Sequence, residues 1–429
     1  MPTIPADQRA SILCAILAML VASRVLGWAF RKAGQPRVVG EILGGVVLGP
    51  TLLGEIWPGG YMYLFHFSDA TESALAFVAW LGLTFLMFSS GMETQDLVAR
   101  PLWRRVALIT LFGTAVPLVA GYSLGSTLDL SKFYGTAGTP QTFGIFLGMA
   151  IAITAIPVLS RILMDLGLLG SGFGRLVMAV ALIEDLVLWA GLAILLDLGA
   201  SDGRTPLQIA AGVLTTFGFF GVCYLWGHKA LGALRRLPGL RSASEGTVAI
   251  ACLIAVMLIG YAVGVRMIFG AFLAGRIVSA TFPDRHWNGM GVSAIVAIFF
   301  ASVGVRLDLQ HGFDPWLLGA LLAIAVAIKT AATFLGARLG GVGSMPGLHL
   351  AVVLNARGAL GIVLATIGYE ADLINGEAFT TLVLLAVVSS LLAGAWLHAV
   401  KRRHPEQLLV DGAWIARADP GPVPVSSSP

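Results

Sequence analysis

Six ionisable side chains stand inside long apolar runs, where charge is expensive: Arg24, Glu41, Glu184, Asp185, Lys329 and Arg357. At the centre of a membrane helix each costs about 2.5–3.5 kcal/mol on insertion scales, so such groups face protein or water and pair. The sharpest feature is Glu184-Asp185, within Ala181-Leu-Ile-Glu-Asp-Leu-Val-Leu-Trp189. Neighbours on a helix point about 100° apart, so one carboxylate can face an ion cavity while the other meets a basic partner. Two close carboxylates also drive each other's proton affinities apart, which suits a site that alternates between a proton and a cation. Two structural salt bridges are the plain alternative. Lys329 lies in Ala325-Val-Ala-Ile-Lys-Thr330. A buried lysine can load and unload a proton, or form a static ion pair with Glu184 or Asp185.

Two further segments combine polar groups with helix breakers. Thr154-Ala-Ile-Pro157 puts a proline inside an apolar run, where it removes a backbone bond and frees a carbonyl. Asn355-Ala-Arg-Gly358 groups an amide, a charge and a glycine. Unwound backbone at membrane depth is tolerated only where it lines a cavity or is buried in protein. Two such breaks in corresponding segments point to an ion site at the midplane. Thr154, Asn355 and freed carbonyls would supply oxygen ligands. Arg357 would neutralise half-helix C-terminal ends or pair with a carboxylate. Taken alone, Pro157 is equally consistent with a simple kink.

The elements that hold these groups follow from composition. The 429 residues are 57% hydrophobic and 12% charged, with mean hydropathy +0.87. Soluble domains carry about 25% charged residues, so a soluble enzyme, a disulfide scaffold and a disordered chain are excluded. Thirteen apolar runs are long enough for helices, at roughly 10–30, 37–53, 74–92, 104–127, 143–165, 174–198, 207–228, 245–264, 267–281, 289–305, 315–337, 347–369 and 377–399. β-Barrel strands would instead alternate over about ten residues. The fold class is thus an all-α polytopic membrane protein of about thirteen spans.

Basic residues cluster after odd-numbered runs, as in Arg31, Lys32, Arg37; Arg104, Arg105; Lys229, Arg235, Arg236; and Lys401, Arg402, Arg403. The positive-inside rule then places the N-terminus outside and the C-terminus in the cytoplasm of a cell-membrane protein. The first run has no basic segment before it and is expected to be retained rather than cleaved. Gly34, Gly40, Leu43 and Gly45 match Gly264, Gly270, Leu273 and Gly275, and Ser89-x-Gly91 matches Ser302-x-Gly304. Runs 1–6 and 8–13 then form two six-helix repeats, inverted because the offset is an odd number of spans. The membrane domain covers 1–400, with repeat one at about 10–198, a linker helix at about 207–228 and repeat two at about 245–399. Residues 401–429, rich in proline towards the end, form a short disordered cytoplasmic tail.

Other motifs add little. Gly44-Gly-Val-Val-Leu-Gly-Pro50 lacks the Lys-Ser/Thr of a phosphate loop and reads as close helix packing. Cys14, Cys223 and Cys252 lie in apolar runs and read as buried, reduced thiols. The histidines are scattered, no basic stripe suggests nucleic acid, and no hydrolase, HExxH or nucleotide motif appears. No enzyme activity, cofactor or resident metal is expected.

At this level the motifs resemble the monovalent cation/proton antiporters, in the branch of plant cation/proton exchangers and bacterial potassium-efflux antiporters. The residues that carry the resemblance are Gly40-Glu-Ile-Leu-Gly-Gly-Val-Val-Leu-Gly-Pro50, Ala152-Ile-Thr-Ala-Ile-Pro-Val-Leu-Ser-Arg-Ile-Leu163, the acidic pair, Phe299-Phe-Ala-Ser-Val-Gly-Val-Arg-Leu-Asp308 and Asn355-Ala-Arg-Gly358. The resemblance covers about residues 10–400. It implies a thirteen-span fold, a homodimer, and a core domain moving against a dimerisation domain. It implies exchange of Na⁺ or K⁺ for H⁺, with Asp185 binding cation and protons alternately and Lys329 pairing with the acidic motif in electrogenic exchange. Glu184 departs from the Asp, Asn or Gln usual before that aspartate. The nucleotide-binding domain of many potassium-efflux relatives is not found, so gating by such ligands is not expected. A cation channel and a cation-coupled symporter of an organic solute are the alternatives.

Overall fold

The computed structural model describes residues 5–32, 35, 37–92, 103–169, 171–199, 206–236, 243–282, 290–310 and 313–408. Continuous apolar sequence without strand alternation produces sixteen α-helices among them. The first half contains α1 (Ala6–Lys32), α2 (Arg37–Leu48), α3 (Pro58–Phe65), α4 (Asp69–Met92), α5 (Trp103–Thr127), α6 (Pro140–Ala152), α7 (Ile156–Asp165) and α8 (Gly172–Gly199). Next come α9 (Pro206–Leu234), α10 (Glu245–Ala262), α11 (Met267–Thr281) and α12 (Met290–Val305). The last four are α13 (Pro315–Leu339), α14 (Ser344–Val353), α15 (Gly358–Glu370) and α16 (Gly376–Arg403).

Every one of the thirteen runs is helical. The second continues through a π turn at Pro50–Gly54, and the fifth and twelfth are each broken into two helices. Among the described residues, seven helical stretches, one of them α2 with its π turn, are long and apolar enough to cross a bilayer, and the bent pair α14–α15, at 44°, adds an eighth. The protein is a multi-pass membrane protein.

Three details differ from the expectation. The short α3 lies between two apolar runs, tied to α1 by the Ser11 hydroxyl donating to Tyr63 O at 2.6 Å. Cys14 is exposed on the outside of α1 rather than buried, while Cys252 is buried. At the C-terminal end, α16 continues to Arg403 and a 3₁₀ turn follows at Pro405–Leu408. There Gln407 Oε1 lies 2.9 Å from His349 Nε2 on α14, and Trp396 Nε1 donates to His349 Nδ1 at 3.3 Å. Residues 409–429 lie outside the described residues.

The helices sort into two packing groups. In one, α5 packs on α6, α8 and α13, while α16 packs on α13, α14 and α15. In the other, α2 packs on α1 and α12, and α11 packs on α4, α9 and α10. We call them the core and the scaffold. They meet where Trp189 of α8 lies 5.9 Å from Phe269 of α11, centroid to centroid.

Four of the matched glycines, Gly45, Gly91, Gly275 and Gly304, lie at two crossings of the scaffold. A Cβ on Gly45 would sit 2.0 Å from Ala301 O, and one on Gly304 2.0 Å from Ile42 O. At the other crossing a Cβ on Gly275 would sit 1.9 Å from Phe88 O, and one on Gly91 1.9 Å from Phe272 O. Each glycine thus lies against the carbonyl three residues before its partner glycine. Only residues without a side chain let backbones approach this closely.

Candidate functional site

The two broken helices cross at their breaks. Ile153 to Ala155 are extended between α6 and α7, and Leu354 to Arg357 separate α14 from α15. Ala155 N donates to Ala356 O at 2.7 Å, and Thr154 Oγ1 donates to Leu354 O at 2.8 Å. Gly358 holds the crossing open by its left-handed backbone, φ +39°, and a Cβ there would sit 2.3 Å from Val158 Cγ2. Pro157 falls in the first turn of α7, where a missing N–H costs least.

A helix leaves its last four carbonyls without intrahelical partners, and α6 ends deep in the protein. Here Met149 O accepts from Ile153 N. Ala150 O and Ile151 O accept from Arg357 Nε and Nη2 at 3.1 and 3.0 Å, and Ala152 O accepts from Lys329 Nζ at 2.5 Å. Two cations therefore close the negative end of the helix dipole. The Arg357 guanidinium thus bonds two of the last carbonyls of α6.

Lys329 uses its three donors on three acceptors: Ala152 O, Gly113 O at 3.1 Å and Glu184 Oε2 at 2.8 Å. Glu184, not Asp185, is the ion-pair partner, and neither side chain of the pair is exposed at all. Thr154 has one hydroxyl hydrogen to share between Leu354 O and Glu184 Oε2, the latter 2.6 Å away. The other carboxylate oxygen, Glu184 Oε1, has no hydrogen-bond partner. Asp185 is 1% exposed. Trp189, one turn further along the same face of α8, meets the scaffold through Phe269. Asp185 thus lies on the side of α8 towards the core–scaffold boundary, and Glu184 on the side towards the core interior.

Asn355 is spent locally. Its Nδ2 donates to Thr330 Oγ1 and Ala351 O at 3.0 Å each, and its Oδ1 accepts from Arg357 Nη2 at 3.4 Å. Thr154, Glu184, Asp185, Lys329, Asn355 and Arg357 are all 3% exposed or less. The structure brings Thr154, Glu184, Lys329, Asn355 and Arg357 into one bonded network, with Asp185 beside it. The carbonyls of Ala150, Ile151, Ala152, Leu354, Asn355 and Ala356 at the two breaks are engaged by internal donors. Glu41 is not part of it: it pairs with Arg37 at 2.8 Å on α2.

Two residues of the site carry no signal in the sequence. A Cβ on Gly113 of α5 would stand 2.6 Å from Glu184 Oε1, 3.1 Å from Thr333 Oγ1 and 3.7 Å from Lys329 Nζ. Gly113 and Thr333 look like any small residues in an apolar run, and only the packing reveals them.

Crossed, broken helices around a buried ion pair define a secondary-transporter architecture. A family model described as "Sodium/hydrogen exchanger, transmembrane" matches residues 16–403, and the chain belongs to that family. It is 29% identical over 384 residues to Cation/H(+) antiporter 15 of Arabidopsis thaliana, covering 86% of this chain and 45% of the relative. With the Na(+)/H(+) antiporter NhaS4 of Synechocystis it shares 29% identity over 400 residues, 89% of this chain and 95% of the relative. The chain spans about half the length of the plant and yeast relatives it matches. The sodium proton antiporter MjNhaP1 from Methanocaldococcus jannaschii has the same fold, at TM-score 0.68 and 14% identity, over 92% of this chain and 99% of that one.

Proposed function

We propose that the chain exchanges Na⁺ or K⁺ for H⁺ by alternating access, with Asp185 taking up cation and protons in turn. The observation that carries this reading is the buried Glu184–Lys329 pair beside Asp185, at the point where two broken helices cross. Protons occupy Asp185 at low pH, and at high pH its ionised carboxylate takes a cation. Thr154, Glu184 and freed backbone carbonyls would supply further oxygen ligands, and Asn355 joins them only if its bonds to Thr330 and Arg357 open. Arg357 holds the α6 end in register while the core moves. Relatives are named as Na⁺/H⁺, K⁺/H⁺ and cation/H⁺ antiporters, which supports monovalent cations as the substrate class.

The same reading takes the two halves as inverted repeats, about 10–198 and about 245–399, joined by the linker helix at about 207–228. The reciprocal glycine crossings, Gly45 with Gly304 and Gly275 with Gly91, support it. We take the assembly to be a homodimer in the cell membrane with the N-terminus outside, a reading supported by the family resemblance and by the distribution of basic residues among the loops.

The test is exchange in sealed vesicles loaded with a proton-sensitive dye. Added Na⁺ or K⁺ should move protons in the wild type, and Asp185→Asn should abolish that movement while the protein still elutes as a folded species. Cation flux without proton counter-movement would instead identify a channel, and pH-dependent exchange retained by Asp185→Asn would remove the assignment of Asp185.

A further inference from the structure

The ion pair rests on one residue of a helix that bears none of its charges. Gly113 offers its carbonyl to Lys329 Nζ at 3.1 Å, and its bare α-carbon faces the opposite partner. A side chain there would begin 2.6 Å from Glu184 Oε1, closer than a Cβ ever stands to oxygen without one of them moving. Acid and base are thus seated on the same backbone unit, one through its oxygen and the other through its missing methyl. Thr333 closes the seat from α13, its hydroxyl 3.1 Å from the same Cβ position.

We propose that Gly113 is a positioning residue of the exchange reaction. Its missing side chain sets how tightly the Glu184 carboxylate and the Lys329 ammonium are held, and so the pH at which the pair yields to the transported cation. This rests on the exchange reading above. The charged groups around the pair are Asp185 on α8 and Arg357 at the second break, both of which act on Lys329 through space. Position 113 itself brings only a carbonyl, and Thr154 and Thr333 are neutral. The seat therefore tunes the pair by distance alone, without adding charge.

The decisive variant is Gly113→Ala, measured in the vesicle assay across pH. The added methyl pushes Glu184 Oε1 away and loosens the pair. Less alkaline conditions then open it, and the midpoint of exchange should move to lower pH by about one unit or more. Gly144→Ala is the structural control. Its Cβ would press on the Tyr122 backbone at 3.1 Å at the α5–α6 crossing, away from the pair, so it should cost stability without moving the midpoint. The double variant Gly113→Ala/Glu184→Asp draws the carboxylate back by one methylene and relieves the contact, so its midpoint should match that of Glu184→Asp alone.

A Gly113→Ala midpoint equal to wild type overturns the inference. So does an equal shift from Gly144→Ala, or a Gly113→Ala shift of the same size with and without the Glu184→Asp substitution. If Gly113→Ala does not assemble, Glu184→Asp should restore its folding, and failure to do so is equally fatal. Absence of exchange in the wild type would remove the exchange reading and this inference with it. Exchange with an unmoved midpoint would remove only this inference.

Discussion

Lys329 is held by three acceptors from three different helices, so its removal does more than delete a charge. Lys329→Met leaves Glu184 buried without its cation and Ala152 O without its donor. Breaking a buried pair from one side costs about 3–5 kcal/mol. Lys329→Met should therefore lower thermal stability in detergent, and Lys329→Met/Glu184→Gln should recover part of the loss. Any electrogenic current should also fall, and an unchanged current would exclude Lys329 as a charge carrier. At this scale the apolar setting of Glu184, Asp185, Lys329 and Arg357 is enough to single them out, because charge in lipid needs a reason. Which carboxylate meets Lys329 is not legible, since neighbouring positions on a helix leave either rotation open. Gly113 is not legible either: among 53 glycines, nothing in its neighbours separates a seat for an ion pair from ordinary helix packing.

Between α6 and α14 the breaks work as a joint whose polar ends are closed by side chains from elsewhere. Arg357 spans the gap, and Arg357→Gln should leave Ala150 O and Ile151 O short of donors. At about 1–3 kcal/mol for each unsatisfied buried group, a clear drop in melting temperature is expected; an unchanged one would mean that water replaces the guanidinium. Towards the C-terminal end of the chain, His349→Phe keeps a ring but loses both bonds, to Trp396 and to Gln407. Faster hydrogen exchange at residues 405–408, with the rest of α14 unchanged, is the expected result. The breaks themselves can be read from Pro157 and from Asn355 to Gly358, since these residues oppose helix in an apolar run. The helix α3 cannot, because eight residues with two glycines show no apolar period.

For the whole molecule, the division into core and scaffold is beyond reach of the apolar pattern, which says which segments are helices but not which pack together. Motion between the groups has an accessible test at the rim. Arg306, at the end of α12, reaches Glu370 at the end of α15 across 3.5 Å. Such an exposed pair contributes about 1 kcal/mol or less, so replacing it is cheap. In a background lacking Cys14, Cys223 and Cys252, a short bifunctional thiol reagent joining Arg306→Cys to Glu370→Cys should stop exchange, and a cleavable version should restore it on reduction. Exchange that persists after complete cross-linking would mean that these ends of the two helices do not separate during exchange.

The glycine crossings also impose an order on biogenesis. Gly45 of α2 finds its closest contact in α12, on the far side of the sequence, and Gly91 finds its own in α11. At synthesis rates of about 5–20 residues per second, the wait between Gly45 and Gly304 is roughly 15–50 s. Throughout that interval α2 can pack on α1, but the groove at Gly45 lacks the α12 backbone that fills it. A nascent chain that stops short of α12 presents that groove permanently, a ready mark for membrane quality control to recognise.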